Sequence, residues 1–200
     1  MIDKKTLQKL YFDDFLSMNE IARTLNCSQN KIAYWMNKYK IVRRSRSAAN
    51  YKLYNKKGDP FNRVDLNTPY LNQLYGLGIG LYWGEGTKAS NHSVRLGNTD
   101  VHLIKKFLEF LIVIYSIDES KLRFGLQLFN NIEPDEALQY WIKALGYPSS
   151  CFQKPIVSFA RKEGTYKRKS KYGVLTIYFH NTKLRNILVD ALPKNGVKYQ

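Results

Sequence analysis

The stretch Gly78-Ile79-Gly80-Leu81-Tyr82-Trp83-Gly84-Glu85-Gly86 decides how this chain is read. It ends a glycine-laced apolar segment in a carboxylate, within a chain of formal net charge +16. Upstream, Thr68-Pro69 supplies an N-cap residue and a proline at the first helical position, so a helix is expected from Tyr70 to Gly84. Gly76, Gly80 and Gly84 recur at i, i+4 and i+8 and make one bare stripe where a second backbone can approach closely. Leu74, Leu77 and Leu81 form a separate apolar stripe, expected to face a core. An interior helical glycine costs about 1 kcal/mol relative to alanine, so three of them require a packing reason. Glu85 falls at the helix C-terminus, where the macrodipole disfavours negative charge, which suggests a cation placed there for function.

Two hundred residues allow one ordinary domain and a small appendage. At 44% hydrophobic and 14% aromatic residues the chain can build a packed core, which excludes a disordered basic tail. Thirty-two Lys and Arg against 16 Asp and Glu, with a pI near 9.7, point to a polyanionic partner. Nucleic acid fits better than a membrane, because the longest apolar run, Phe110 to Tyr115, is far too short to span a bilayer. The charged, polar Met1 end does not resemble a secretory signal, and a cytoplasmic setting is expected. Cys27 and Cys151 are lone cysteines there, with no structural disulfide expected. His92, His102 and His180 have no zinc spacing with them, so any metal is expected to be a hard ion on oxygen ligands. No small-molecule cofactor is implied.

Residues 1–42 read as short helices. Leu7, Leu10, Tyr11, Phe15 and Leu16 supply one apolar face. Ser17-Met18-Asn19-Glu20 is a capping box, opening a helix whose Ile21, Ala22 and Leu25 face inward. Asn26-Cys27-Ser28 makes a tight turn, with Ser28 capping a third helix that carries Ile32, Trp35 and Met36. Helix, turn and helix of these lengths form a small all-helical helix-turn-helix module over 1–46. A helical hairpin that binds protein shares the pattern. On the third helix Gln29, Asn30, Lys31, Tyr34 and Lys38 are the expected exposed, DNA-facing residues: amides pair with adenine, and lysine reaches guanine or phosphate. Arg43, Arg44 and Arg46 read as a basic arm for an adjacent minor groove, followed by a linker over 47–68.

Residues 69–200 alternate between periods and predict an α/β domain of the α+β type. A strand pair is expected within Thr87–Asn98, and a helix from Asp100 to Tyr115 capped by Thr99 or Asn98. A strand follows over Lys121–Phe129, then a helix opening at Pro134 and stopping at Gly146. Strands over Pro155–Ala160 and Tyr172–Phe179 precede a closing helix over Thr182–Leu192. Alternation places Val94, Leu96, Leu122, Leu126, Val157, Phe159, Leu175 and Ile177 beneath helices. Arg95, Arg123, Gln127, Lys154, Ser158, Thr176 and Tyr178 then share a basic open face that can lie in a DNA groove. The densest basic segment, Arg161 to Lys171, includes Lys167, Arg168 and Lys169, which are expected to clamp phosphates.

The nine opening residues resemble the signature helix of the LAGLIDADG homing-endonuclease family. Gly80-Leu81 matches the motif's Gly-Leu, and Glu85-Gly86 stands where the family has Asp-Gly. The order of elements over residues 69–192 is similar too. The resemblance implies a mixed domain with a basic antiparallel sheet, in which two signature helices pack about a two-fold axis. A single motif implies a homodimer, with Gly76, Gly80 and Gly84 at the interface. It further implies that Glu85 binds a divalent metal at the centre of the DNA interface, with the Gly84 carbonyl as companion ligand. Mg²⁺ suits this chemistry. Asn98 and Lys154 are the candidates for organising catalytic water beside it. Glu replaces the family's Asp, Trp83 replaces the signature's first Asp, and the elements between Lys121 and Gly146 are additional.

The expected function is therefore a sequence-specific protein for double-stranded DNA: a homodimeric, metal-dependent endonuclease. A non-catalytic transcriptional regulator on the same fold is the alternative, and an RNA-splicing maturase is a third.

Overall fold

A computed structural model describes residues 1–56, 58–158 and 170–193. The chain divides into two compact units, Met1–Asp59 and Pro60–Gln200.

In the first unit, α1 (Lys4–Gln8) runs on into a wider π-type turn over Lys9–Asp13. Helix α2 (Met18–Thr24) opens on the capping box: the Glu20 amide donates to Ser17 Oγ at 3.2 Å, and the Ser17 amide donates to Glu20 Oε2 at 2.8 Å. Asn26 adopts φ 47°, which turns the chain sharply, and Ser28 caps α3 (Gln29–Lys38) through the Lys31 amide. Leu7, Tyr11, Ile21, Ala22, Ile32 and Met36 form the unit's core, with Ile2 and Ile41 at its edge.

The stretch expected to be a linker is structured on both sides of the division. Ser45 caps α4 (Arg46–Tyr54), a helix that buries none of its residues. Pro60 to Leu66 is a strap on the second unit: the Asn62 and Val64 amides donate to the Tyr115 and Ile114 carbonyls at 2.8 and 3.0 Å. Phe61, Val64 and Leu66 pack on its core. The apolar residues at these positions pull a polar segment down onto the domain.

The second unit is a mixed α/β domain of the α+β kind. Its elements are α5 (Pro69–Glu85), β1 (Val94–Asn98), α6 (Val101–Tyr115), β2 (Leu122–Phe129), α7 (Pro134–Leu145), β3 (Ile156–Ser158), β4 (Val174–Phe179) and α8 (Thr182–Asp190). The sheet order is β1-β4-β2-β3, with β4 antiparallel to β1 and β2; β3 runs parallel to β2, so the sheet is mixed at that edge rather than antiparallel throughout as expected. The strand pair expected before Asn98 is reduced to a bridge between Gly86 and Leu96, extended by the Thr87 amide on the Arg95 carbonyl at 2.9 Å. Asp100 itself caps α6, accepting from the His102 amide at 2.8 Å. Gly146, at φ +76°, ends α7 in the left-handed conformation that glycine adopts without a Cβ penalty.

The core is formed by one sheet face with helices α5, α6, α7 and α8. It holds Leu96, Phe107, Phe110, Phe124, Leu175, Ile177 and Leu188, all at 0% exposure. Three core expectations need correction. In the first unit Phe15, at φ 55°, is 51% exposed and lies off the core. Val157 is 38% exposed because β3 is a short edge strand. Leu77 is 45% exposed, and α5 instead turns Leu74, Gly78 and Tyr82 inward. A Cβ on Gly78 would lie 2.1 Å from the Phe110 ring, so Gly78 is what lets α6 approach. Phe159 lies outside the described residues.

Candidate functional site

Helix α5 begins as its sequence dictates, with Thr68 Oγ1 accepting from the Leu71 amide at 3.2 Å and Pro69 at the first position. Its outward face carries Gly76, Leu77, Gly80, Trp83 and Gly84, all exposed. A Cβ on Gly76, Gly80 or Gly84 would meet nothing within 4 Å. Nothing within the described chain requires these three glycines, in contrast to Gly78 on the opposite side of the same helix. Leu77 and Trp83, at 45% and 53% exposure, stand between them and leave the face apolar.

At the C-terminus of α5 the last carbonyls are divided between two uses. The Tyr82 carbonyl accepts from the Gly86 amide at 2.9 Å, and the Trp83 carbonyl accepts from Lys88 Nζ at 2.7 Å. Among the described residues no donor reaches the Gly84 carbonyl. Glu85 is exposed in the same turn. Arg185 on α8 holds the following loop, donating to the Lys88 carbonyl at 2.5 Å. Lys88 and Arg185 thus place positive charge where the helix macrodipole is negative. This makes the end of α5 less hostile to Glu85 than the sequence implies. No sequence signal distinguishes Lys88 or Arg185 from other surface cations.

An exposed carboxylate and a free backbone carbonyl in one turn are hard oxygen donors, the ligand type that suits Mg²⁺. They are too few for a closed site, and among the described residues no group of three His, Cys, Asp or Glu side chains could hold a metal ion. Any ion there would take its remaining ligands from water, from phosphate, or from a second copy. Asn98 ends β1 with the parity of Val94 and Leu96, and its Oδ1 accepts from the Asp100 amide at 2.9 Å. Lys154 is exposed just after Gln153, whose amide bonds the Phe124 carbonyl at 2.8 Å. It therefore lies toward the β3 edge, whereas Gly86 sits beyond β1 at the other edge, four strand spacings or about 19 Å away. The structure brings Lys88, rather than Lys154, to the turn that carries Glu85.

The open sheet face is built by register. Arg95, Tyr178 and Arg123 form one row across β1, β4 and β2, and Gly97, Thr176 and Gly125 form the next. Gln127 follows on β2 and donates to Ser158 Oγ at 3.2 Å. The middle row is nearly bare: a Cβ on Gly97 would lie 2.8 Å from Thr176 Oγ1, and one on Gly125 2.8 Å from the Tyr178 ring. Among the described residues neither Arg95 nor Arg123 has a carboxylate partner. His180 continues the parity of Tyr178 and stacks on it, with ring centroids 6.0 Å apart. The alternation through 176, 178 and 180 would have placed His180 on this face.

In the first unit Gln29, Asn30, Lys31, Tyr34 and Lys38 are all exposed on α3, as expected. Lys38 Nζ sits 4.8 Å over the Trp35 ring and 5.9 Å over that of Tyr34. The arginine arm is not one feature. Arg43 bonds Asn37 at 3.1 Å on the surface, and Arg46 is exposed in α4. Arg44 is held internally: its guanidinium donates to the carbonyls of Tyr11, Phe15 and Leu16 at 3.1, 3.2 and 2.5 Å and stacks 4.1 Å from the Tyr11 ring. Those carbonyls lie in the wide turn after α1 and just beyond it, and Arg44 supplies donors to them. Lys167, Arg168 and Lys169 lie outside the described residues. Among the described residues no helix is long and apolar enough to cross a membrane.

No family model matches the chain, and no curated protein or solved structure matches it.

Proposed function

We propose that this chain is a double-stranded-DNA-binding protein that pairs with a second copy along α5 and cleaves DNA with a divalent metal held at Glu85. The resemblance of residues 78–86 to the LAGLIDADG signature supports this reading. The observation that carries it is the outward stripe of Gly76, Gly80 and Gly84, whose missing Cβ atoms correspond to open space and which ends at an exposed carboxylate. A second α5 related by a two-fold axis would fill that space and bring two Glu85 carboxylates together. Glu85 and the Gly84 carbonyl would hold Mg²⁺, which supplies an activated water and stabilises the leaving oxygen. The open face around Arg95, Tyr178, Arg123 and Gln127 would lie against DNA, with α3 of the helix-turn-helix unit adding sequence contacts.

The lone carboxylate favours a second reading, a regulator that keeps the fold and DNA binding without cleavage. One experiment separates them: a randomised duplex pool incubated with the full chain, with Mg²⁺ or with chelator, and sequenced. New ends that depend on metal, and vanish in Glu85→Gln while duplex binding persists, make it a nuclease. Enriched sites without new ends make it a regulator. A pool left unenriched and uncut refutes both.

A further inference from the structure

Arg95 and Arg123 bend toward the same end of the sheet. Arg95 Nε donates to Ser93 Oγ at 2.7 Å, and Ser93 is buried, so the guanidinium is drawn back along β1. Arg123 Nη1 donates to the carbonyls of Ser120 and Leu122 at 2.7 and 2.6 Å, which draws it back along β2. The registers Val94 with Phe179 and Leu122 with Phe179 continue to Ser93 and Lys121 on either side of His180. Both guanidiniums therefore converge on His180 from the flanking strands, each with N–H groups left to donate. Tyr178 lies between them, with Arg95 5.3 Å from its ring centroid on one side and His180 stacked along it.

The geometry points to a phosphate site at this end of the sheet, where Arg95, Arg123 and His180 together hold a backbone phosphate of duplex DNA and His180 takes up a proton from solvent as the phosphate arrives. In the free protein, burial and then the charges of Arg95 and Arg123 hold the His180 imidazole below its ordinary range, so near neutral pH it carries no charge. Among the described residues, Tyr178 shares its face of the chain, Ser93 and Lys121 flank it in register just before β1 and β2, and Lys183 lies in the first turn of α8. None of these is an anion at neutral pH. A phosphodiester supplies the missing negative charge, cancels the field of the two guanidiniums, and makes the imidazolium the favoured form. The bound proton adds a third cation to the anion only when the anion is present.

This inference rests on the duplex-DNA reading above, and its test separates the two. Affinity of the full chain for a labelled duplex is measured by fluorescence anisotropy at constant ionic strength from about pH 8 to about pH 5.5, the range in which histidine titrates. Wild type should bind more tightly as pH falls, about tenfold for each unit by which phosphate raises the His180 pKa, and then level off. Titration calorimetry in two buffers of different ionisation enthalpy should show net proton uptake near neutral pH. His180→Gln should lose this pH dependence and the proton uptake. Arg95→Gln should reduce both and should also lower the slope of log K against log salt. A His180→Gln protein that keeps the wild-type pH dependence overturns the inference, as does a wild type that binds without proton uptake. If His180→Gln does not fold, His180→Asn takes its place, and the wild-type calorimetry decides by itself. A wild type that binds no duplex at any pH overturns the DNA reading along with it.

Discussion

Gly78 and Gly80 lie two positions apart on one helix, and alanine at each should act in opposite directions. At Gly80 the added methyl meets nothing within 4 Å. The helix then gains the propensity difference between glycine and alanine, about 1 kcal/mol, with no steric cost. For a unit of this size that raises the melting temperature by roughly 3 °C. At Gly78 the methyl would lie 2.1 Å from the Phe110 ring, which is itself packed on Phe107 and Tyr115 at centroid distances of 5.6 and 5.5 Å. Displacing that ring costs about 2–4 kcal/mol once the rings behind it must also move, so the net change is destabilising by about 1–3 kcal/mol after the helical gain. Gly80→Leu extends the argument to assembly: a leucine is tolerated on the outer face of one chain but blocks a helix seated against it. The assay is urea unfolding of each variant over a series of protein concentrations, because a dimer makes apparent stability concentration-dependent. Light scattering gives the mass. Gly80→Ala should be at least as stable as wild type at the lowest concentration, and Gly80→Leu should be monomeric. A Gly80→Leu protein with dimer mass refutes the reasoning, and a wild type that is monomeric throughout refutes the paired helix itself.

Two further outcomes test the first unit. Arg44→Ala should destabilise it by about 2–3 kcal/mol, the cost of leaving carbonyls without a charged donor, and Arg43→Ala should leave stability nearly unchanged; equal unfolding midpoints for the two would show that Arg44 is not structural. The Ser17 amide and hydroxyl hold the Glu20 carboxyl below its usual value of 4.5. A carboxylate depressed in the folded state stabilises above its unfolded pKa, and that contribution fades as pH falls through the folded value. Glu20→Gln should therefore lose stability at neutral pH and approach wild type in acid, as followed by circular dichroism; a constant difference at all pH values would remove the capping box from the account.

Much of the fold was legible because its signals are local. The pairs Ser17 and Glu20, Thr68 and Pro69, and Pro134 and Gly146 mark helix ends through backbone chemistry that neighbouring residues alone satisfy. Period-two alternation sorted β1, β2 and β4 correctly, since each pairs over at least five residues. The failures depend on distant partners. Helix α4 has no apolar stripe to announce it, and the strap at 60–66 is recognisable only once Ile114 and Tyr115 are in place. Leu77 and Gly78 are neighbours in sequence, and only the position of Phe110 shows which of them faces inward. Arg44 reads as one of three equivalent arginines until the carbonyls after α1 lie beside it. At the candidate site the glycine stripe and Glu85 were legible, and so were Arg95 and Arg123 as neighbours on one face. Their convergence on His180 was not, because it depends on hydrogen bonds to Ser93 and Ser120 that bend both side chains.

Arg44, Lys88 and Arg185 share a property that bears on how so basic a chain tolerates acid. Each is neutralised in part by main-chain carbonyls rather than by a carboxylate. Protonation erases ion pairs made with Asp or Glu, but a carbonyl does not titrate, and neither do these cations in the acid range. As the chain's 16 Asp and Glu side chains are discharged and repulsion among its 32 Lys and Arg side chains is no longer offset, these three anchorages persist. Acid unfolding should therefore leave the turn after α1 and the end of α5 among the last parts to lose their contacts.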